Sequence, residues 1–268
     1  MFWLHPHDGQ VCHLNKNMDL QLNDKTALVT GASQGIGRAI AKALAAEGVQ
    51  TFIAARRKNL LDELAAEITA AGYKTPHIFV IDVTEPDAPT RLAQAAEKAM
   101  GKIDILINSA GGSKGHIHVD TPDSAWDESM TLNFVRVRQL THAVLPSMMQ
   151  RKWGRILNIS GKSEPEHMIA ASPTKAAIHA WSKGLSREVG PHGVNVNCIQ
   201  PGRIMSEQIR RKYSPEFRAE QSRTQIPAGR YGEPEELAAL AVFLASPVAS
   251  YITGAVIPVD GGLRKYAF

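Results

Sequence analysis

Two short stretches carry the strongest chemical signal. Thr30-Gly31-Ala32-Ser33-Gln34-Gly35-Ile36-Gly37 lies between an apolar run and an Ala-rich segment of helical period. Glycines there permit a tight turn and let the backbone approach a pyrophosphate seated at a helix N-terminus. Gly31, Ser33, Gln34, Gly35, Ile36 and Gly37 are therefore expected to hold a dinucleotide. A Gly-rich turn alone says little; its place between strand and helix makes it specific. The second stretch is Ala54-Ala55-Arg56-Arg57, closing the second apolar run. A carboxylate there would bond the ribose hydroxyls of NAD and repel a 2′-phosphate. Two guanidiniums suit a phosphate instead, so NADP(H) is favoured over NAD(H), with Arg56 and Arg57 as its partners. The competing reading is that one or both arginines point to solvent.

The elements that position these groups alternate regularly. Apolar runs at 26–30, 51–55, 77–81, 103–107, 155–159, 194–199 and 255–259 are separated by segments of helical period at 35–47, 59–71, 88–100, 124–150, 175–189 and 235–244. Runs without polar alternation are buried on both faces, the mark of a parallel sheet covered by helices on each side. The expectation is an α/β, Rossmann-type doubly wound sheet of seven parallel strands, within one domain over residues 18–268. Residues 1–17 show no periodicity and read as an N-terminal extension. Residues 202–232, the longest irregular stretch, interrupt the alternation and read as a substrate lid.

Composition narrows the function classes. The 268 residues include 44% hydrophobic and 21% charged side chains, ordinary globular usage that excludes a disordered or fibrous chain. The net charge of +4 comes from basic residues interleaved with acidic ones, so no nucleic-acid partner is expected. Only Cys12 and Cys198 are present, which supports neither a disulfide framework nor a zinc ribbon. His5, His7, Cys12 and His13 imply no fixed ligand geometry, and no metal is expected. The uncharged stretch 237–259 is long enough for a membrane span, but Pro247, Gly254 and Pro258 break it into a buried helix, a turn and a strand. With no secretory signal over residues 1–17, the expected home is the cytoplasm.

Over about residues 20–262 the chain resembles the short-chain dehydrogenase/reductase family. The resemblance rests on the TGxxxGxG turn, Asp82-Val83 after the third strand and Asn108-Ser109-Ala110-Gly111 after the fourth. Asn133 in the fourth helix, Pro201-Gly202 after the sixth strand, Tyr251-Ile252-Thr253-Gly254 and Val259-Asp260-Gly261-Gly262 also fit. It implies further cofactor contacts at Asp82, Val83, Asn108, Ala110, Gly111, Lys175, Pro201, Gly202 and Ile204. It also implies a homotetramer, with the last strand and the Lys175 helix among the contacts.

The family's usual catalytic set is Asn, Ser, Tyr and Lys, with the tyrosine four residues before the lysine. Asn133 and Lys175-Ala176-Ala177 match, but Ala171 stands at the tyrosine position and Gly161 at the serine position, with Ser160 just before it. The loop to Lys175 is also a few residues short. An alanine methyl carries no proton, and losing a positioned general acid typically costs about 10²–10⁴ in rate. Asn133, Ser160 and Lys175 are the expected catalytic residues. Ser163, His167 and, in the lid, Tyr213 are weaker replacements for the proton donor. Ser172 and Thr174 are expected to cap the Lys175 helix. Lys162, Glu164 and Glu166 read as a solvated loop, and so do His116 and His118.

The leading reading is an NADP(H)-dependent oxidoreductase with a remodelled site, acting on a carbonyl or an activated C=C of a small substrate. The alternative is an NADP(H)-binding sensor or structural relative that catalyses nothing. The lid's Arg203, Arg210, Arg211, Lys212, Arg218, Arg223 and Arg230 outnumber its glutamates, which suggests an anionic substrate.

Overall fold

The computed structural model describes residues 18–113, 119–161 and 168–265, with backbone alone at 208 and 212. The expectations for residues 1–17, His116, His118, and the loop from Lys162 to His167 lie outside the described residues.

Seven strands form one parallel sheet in the order β3-β2-β1-β4-β5-β6-β7. They are β1 (Thr26–Thr30), β2 (Gln50–Ala55), β3 (His77–Val80), β4 (Ile105–Asn108), β5 (Gly154–Ile159), β6 (Val194–Pro201) and β7 (Val256–Val259). The inner strands are buried almost throughout, whereas the edges β3 and β7 are partly open. That burial is why the inner runs lack polar alternation. Helices α1 (Gly35–Ala46), α2 (Lys58–Ala70) and α9 (Pro234–Ala245) share one apolar core with the sheet. Helices α3 (Ala88–Met100), α5 (Arg136–Gln150) and the end of α6 (Ala171–Val189) share the other. Strand order reverses between β1 and β4, so a crevice opens at their carboxyl ends, where doubly wound sheets bind ligands.

Three expectations change. The single helix over 124–150 is in fact α4 (Asp123–Met130), a π turn at Thr131–Val135 and then α5. The π turn rotates Asn133 inward, a device common at functional sites. Helix α6 begins at Ala171 with Ala170 as its N-cap and no side-chain cap. Ser172 and Thr174 lie inside the helix, and the Thr174 hydroxyl bonds back to the Ala170 and Ala171 carbonyls at 3.0 and 3.1 Å. The stretch 202–232 is not irregular: it folds as α7 (Glu207–Lys212) and α8 (Pro215–Gln225). Ser206 and Ser214 accept from the Ile209 and Phe217 amides at 3.2 Å each, and Pro215 opens α8, so both starts are capped. A parallel bridge between Ile204 and Gly232 ties the base of this segment. Residues 237–259 divide into α9, a 3-10 turn at Pro247–Ala249 and β7. Among the described residues no helix is long and apolar enough to cross a membrane.

Candidate active site

The crevice floor is built by two turns in contact. Gly31 adopts φ +68, and a Cβ there would sit 2.8 Å from the Ala110 amide nitrogen. A Cβ on Gly37 would lie 2.5 Å from the Gly31 carbonyl oxygen. Thr30 locks the two turns: its hydroxyl accepts from the Ser109 and Ala110 amides at 3.1 and 3.2 Å and donates to the Ile107 carbonyl at 3.3 Å. Helix α1 starts at this point with no side-chain cap on Gln34 and no acidic residue in its first turn. The Gln34 side-chain oxygen is buried without a partner among the described residues. Free amides at a helix N-terminus with no competing carboxylate fit a pyrophosphate. Ser33 and Ile36 line the same turn, half-buried.

Arg56 and Arg57 stand where β2 ends, and both side chains reach solvent. Arg56 lies 3.5 Å from Asp82, and Arg57 lies 3.6 Å from Glu207 at the start of α7. Asp82 also accepts from the Thr84 amide and hydroxyl at 2.9 and 2.7 Å. Partial burial pushes its carboxyl up, but the Thr84 bonds and the Arg56 charge outweigh that and hold it below the usual carboxylate value. Arg136 of α5 clasps the Thr84 carbonyl at 3.0 and 3.1 Å, which sets the turn carrying Asp82 and Val83. This side of the crevice therefore offers two guanidiniums to a ribose phosphate and a fixed carboxylate beside them.

Asn108, expected among the cofactor contacts, turns its side chain into the sheet. Its side chain is buried, donating to Thr141 at 3.1 Å and to Asn158 at 2.8 Å, so it braces the sheet beneath the crevice. Asn158 continues the chain to Ser182 at 2.9 Å. The buried Cys198 thiol donates to Ser182 at 3.3 Å, and burial pushes that thiol up to about 11, so it is inert. Two and three residues after Asn108, Ala110 packs against Gly31, and Gly111 lies beside Asn133 and Lys175.

Beyond them, side chains from three elements converge. Asn133 is buried, and its amide grips Gly112 like a peptide: the oxygen accepts from the Gly112 amide and the nitrogen donates to its carbonyl, both at 3.1 Å. Lys175 projects from the first turns of α6, and its Nζ donates to the Ser160 carbonyl at 3.2 Å. A Cβ on Gly111 would stand 3.1 Å from the Asn133 amide oxygen and 3.4 Å from Lys175 Nζ. Enclosure pushes the Lys175 amine down to about 8. Gly161 makes room for this lysine, since a Cβ there would fall 2.8 Å from Lys175 Cδ.

Ser160 does not present its hydroxyl as expected. It is buried, and the hydroxyl lies 3.1 Å from the Ile199 carbonyl and 2.7 Å from His179 Nε2. The protein therefore engages the serine oxygen from two sides. His179 is the residue the sequence reading missed, although it stands four residues after Lys175, on the same face of α6. Burial, aided by the Arg264 charge, holds its imidazole below the usual histidine value.

Other candidates lie apart. Tyr213 stacks on Phe217 with ring centroids 4.9 Å apart, and the buried Tyr231 hydroxyl bonds to Gln221. Among the lid cations, Arg211, Arg223 and Arg230 pair with Glu207, Glu220 and Glu236. Pro201 pairs with Val259, and the Gly202 amide donates to the Val259 carbonyl at 2.9 Å, which holds the base of the lid beside β7. Ile204 is buried at the bridge to Gly232. A cavity of about 1030 Å³ lies under α8, lined by Met205, Arg218, Ile226, Pro227 and Tyr231 among others, away from Lys175 and Asn133. No group of three or more metal-ligating side chains occurs among the described residues.

The family model described as "Enoyl-(Acyl carrier protein) reductase" matches residues 31–264. A rhamnolipids biosynthesis 3-oxoacyl-[acyl-carrier-protein] reductase from Pseudomonas aeruginosa is 36% identical over 251 residues, covering 91% of this chain and 97% of its own. A galactitol 2-dehydrogenase (L-tagatose-forming) from Cereibacter sphaeroides is 37% identical over 248 residues, covering 90% and 96%. A crystal structure of a 3-oxoacyl (acyl-carrier-protein) reductase from Agrobacterium tumefaciens C58 with NADP bound superposes with TM-score 0.86 at 31% identity, covering 94% of this chain and all of that one. The chain belongs to the short-chain dehydrogenase/reductase family, whose members are nicotinamide-dependent oxidoreductases.

Proposed function

We propose that this protein uses NADP(H) to interconvert a carbonyl, or an activated C=C, and its reduced form in a small substrate, with Lys175 as the proton-carrying side chain. The observation that carries the reading is the Lys175 amine, enclosed between the Ser160 carbonyl and Gly111 beside Asn133. When bound, the nicotinamide supplies or accepts the hydride. The α1 N-terminus and the Gly31–Gly37 turn would hold the pyrophosphate, Arg56 and Arg57 the 2′-phosphate, and Asp82 and Val83 the base. An NADP complex among the solved relatives supports that choice of cofactor.

The catalytic arrangement departs from the resemblance. Ala171, buried at the start of α6, offers no hydroxyl four residues before Lys175. An amine with a pKa of about 8 exchanges protons near neutrality, which an ordinary lysine does not. Asn133, bonded on both sides to Gly112 and reaching the Ser129 carbonyl at 3.1 Å, holds the wall where a relaying water would stand. The relatives' names span acyl and polyol substrates, so the substrate is assigned here only as a small carbonyl or enoyl compound. An anionic one remains favoured by Arg210 and Arg218 of the lid, for which no carboxylate partner within salt-bridge distance appears among the described residues. Equal turnover of neutral and anionic versions of one compound would remove that part. We also assign a homotetramer, supported by the open edge of β7 and the fully exposed Tyr251 beside it.

The deciding experiment follows NADPH consumption against ketones, aldehydes and conjugated enoyl compounds, with NADPH binding measured in the same samples. Turnover that collapses in Lys175→Ala supports the reading. Turnover unchanged in an Asn133→Ala, Lys175→Ala double variant overturns both roles. Tight binding with silence across the panel favours the sensor that Ala171 also motivates.

A further inference from the structure

We infer that His179 is a positioning residue for the Lys175 amine: it holds the Ser160 hydroxyl, and through it the Ser160 carbonyl on which that amine docks. The inference rests on the reading of Lys175 given above and extends it to a residue with no assigned role.

Ser160 has a single hydroxyl proton, and the Ile199 carbonyl lies 3.1 Å from its oxygen. His179 Nε2 closes on the same oxygen at 2.7 Å, as donor or acceptor according to its tautomer. The Ser160 amide donates to the same Ile199 carbonyl at 2.9 Å. Ser160 is thus held to β6 by amide and hydroxyl and to α6 by His179, and its own carbonyl is left to take Lys175 Nζ at 3.2 Å. The following residue is glycine, so no Cβ stiffens the turn at 161, and a Cβ there would strike Lys175 Cδ at 2.8 Å. The turn that leaves room for the lysine stem at Gly161 is kept in place by a side chain from the lysine's own helix, one turn on.

The test uses the whole protein and reads the amine directly. Lysines are reductively ¹³C-methylated, the Lys175 signal is identified by its loss in Lys175→Arg, and its titration is followed by NMR. His179→Leu should move the midpoint at least about one pH unit towards the ordinary lysine value, as the amine leaves its dock for water. His179→Gln, whose amide can donate to Ser160, should restore it. In turnover, His179→Leu should lower kcat by about 10- to 100-fold with little change in KM. Ser160→Ala breaks the brace from the other end, and the Ser160→Ala, His179→Leu double variant should lose no more than the worse single one. An unmoved titration in His179→Leu, or additive losses in the double variant, overturns the inference. Because the titration needs no turnover, silence of the unaltered protein would count against the proposed function alone.

Discussion

The β1–α1 turn and the β5–α6 shelf face the same crevice and are held in different ways. At the first, backbone meets backbone: Gly31 against Ala110, and Gly37 against the Gly31 carbonyl. At the second, the parts meet through side chains, with Lys175 and His179 both reaching Ser160 from α6. Backbone packed on backbone cannot repack, so glycine is the only residue those positions accept. A flexible stem such as that of Lys175 can shift where packed backbone cannot. One crevice therefore combines a floor of backbone packed on backbone with a wall of bonded side chains.

Breaking the rigid side should have the largest effect. Gly37→Ala puts a Cβ 2.5 Å from the Gly31 carbonyl oxygen, and should cost about 3 kcal/mol of stability in denaturant unfolding and abolish NADPH binding. On the other side, Lys175→Met should leave folding nearly intact while kcat falls about 10²–10⁴-fold. The pH dependence sharpens this. With Lys175 as the proposed proton carrier, reduction draws on the protonated amine, so its rate should be full below a pH of about 8 and fall as pH rises through it, with oxidation showing the reverse. A flat profile between pH 6 and 10 would remove Lys175 as the proton carrier. The Arg56→Ala, Arg57→Ala pair should weaken NADPH about 10- to 100-fold by isothermal titration and leave NADH within about twofold, since both guanidiniums are solvent-exposed. The smallest effect is expected from Gly161→Ala. Its Cβ meets the movable Lys175 stem, so stability should hardly change and kcat should drop about threefold.

The floor was legible in the sequence because its requirements are local. The run of Thr30 to Gly37 states a turn, a close approach and a helix start within eight consecutive residues. The alternation of apolar runs with helical periods likewise placed all seven strands, with β1 found at its expected bounds. Elsewhere local signals misled. The side-chain amide of Asn108 turns to Thr141 and Asn158, residues distant in sequence that no local pattern pairs with it. Ser172 and Thr174 looked like caps, but α6 extends back to Ala171. The π turn at Thr131–Val135 had no signal of its own in the sequence, and Asn133 within it bonds to Gly112, 21 residues away.

By itself, then, the sequence determined the class of fold, the nucleotide turn, the basic end of β2 and the absence of a tyrosine four residues before Lys175, all of them properties of neighbouring residues. Tertiary structure decided which of those residues act together. It brought β5, β6 and α6 to one point, turned the Ser160 hydroxyl to Ile199 and His179, and left its carbonyl to Lys175. The reason is that a side chain's partner is set by where strands and helices pack. For residues 15 to 39 positions apart in the chain, as here, no local pattern records it.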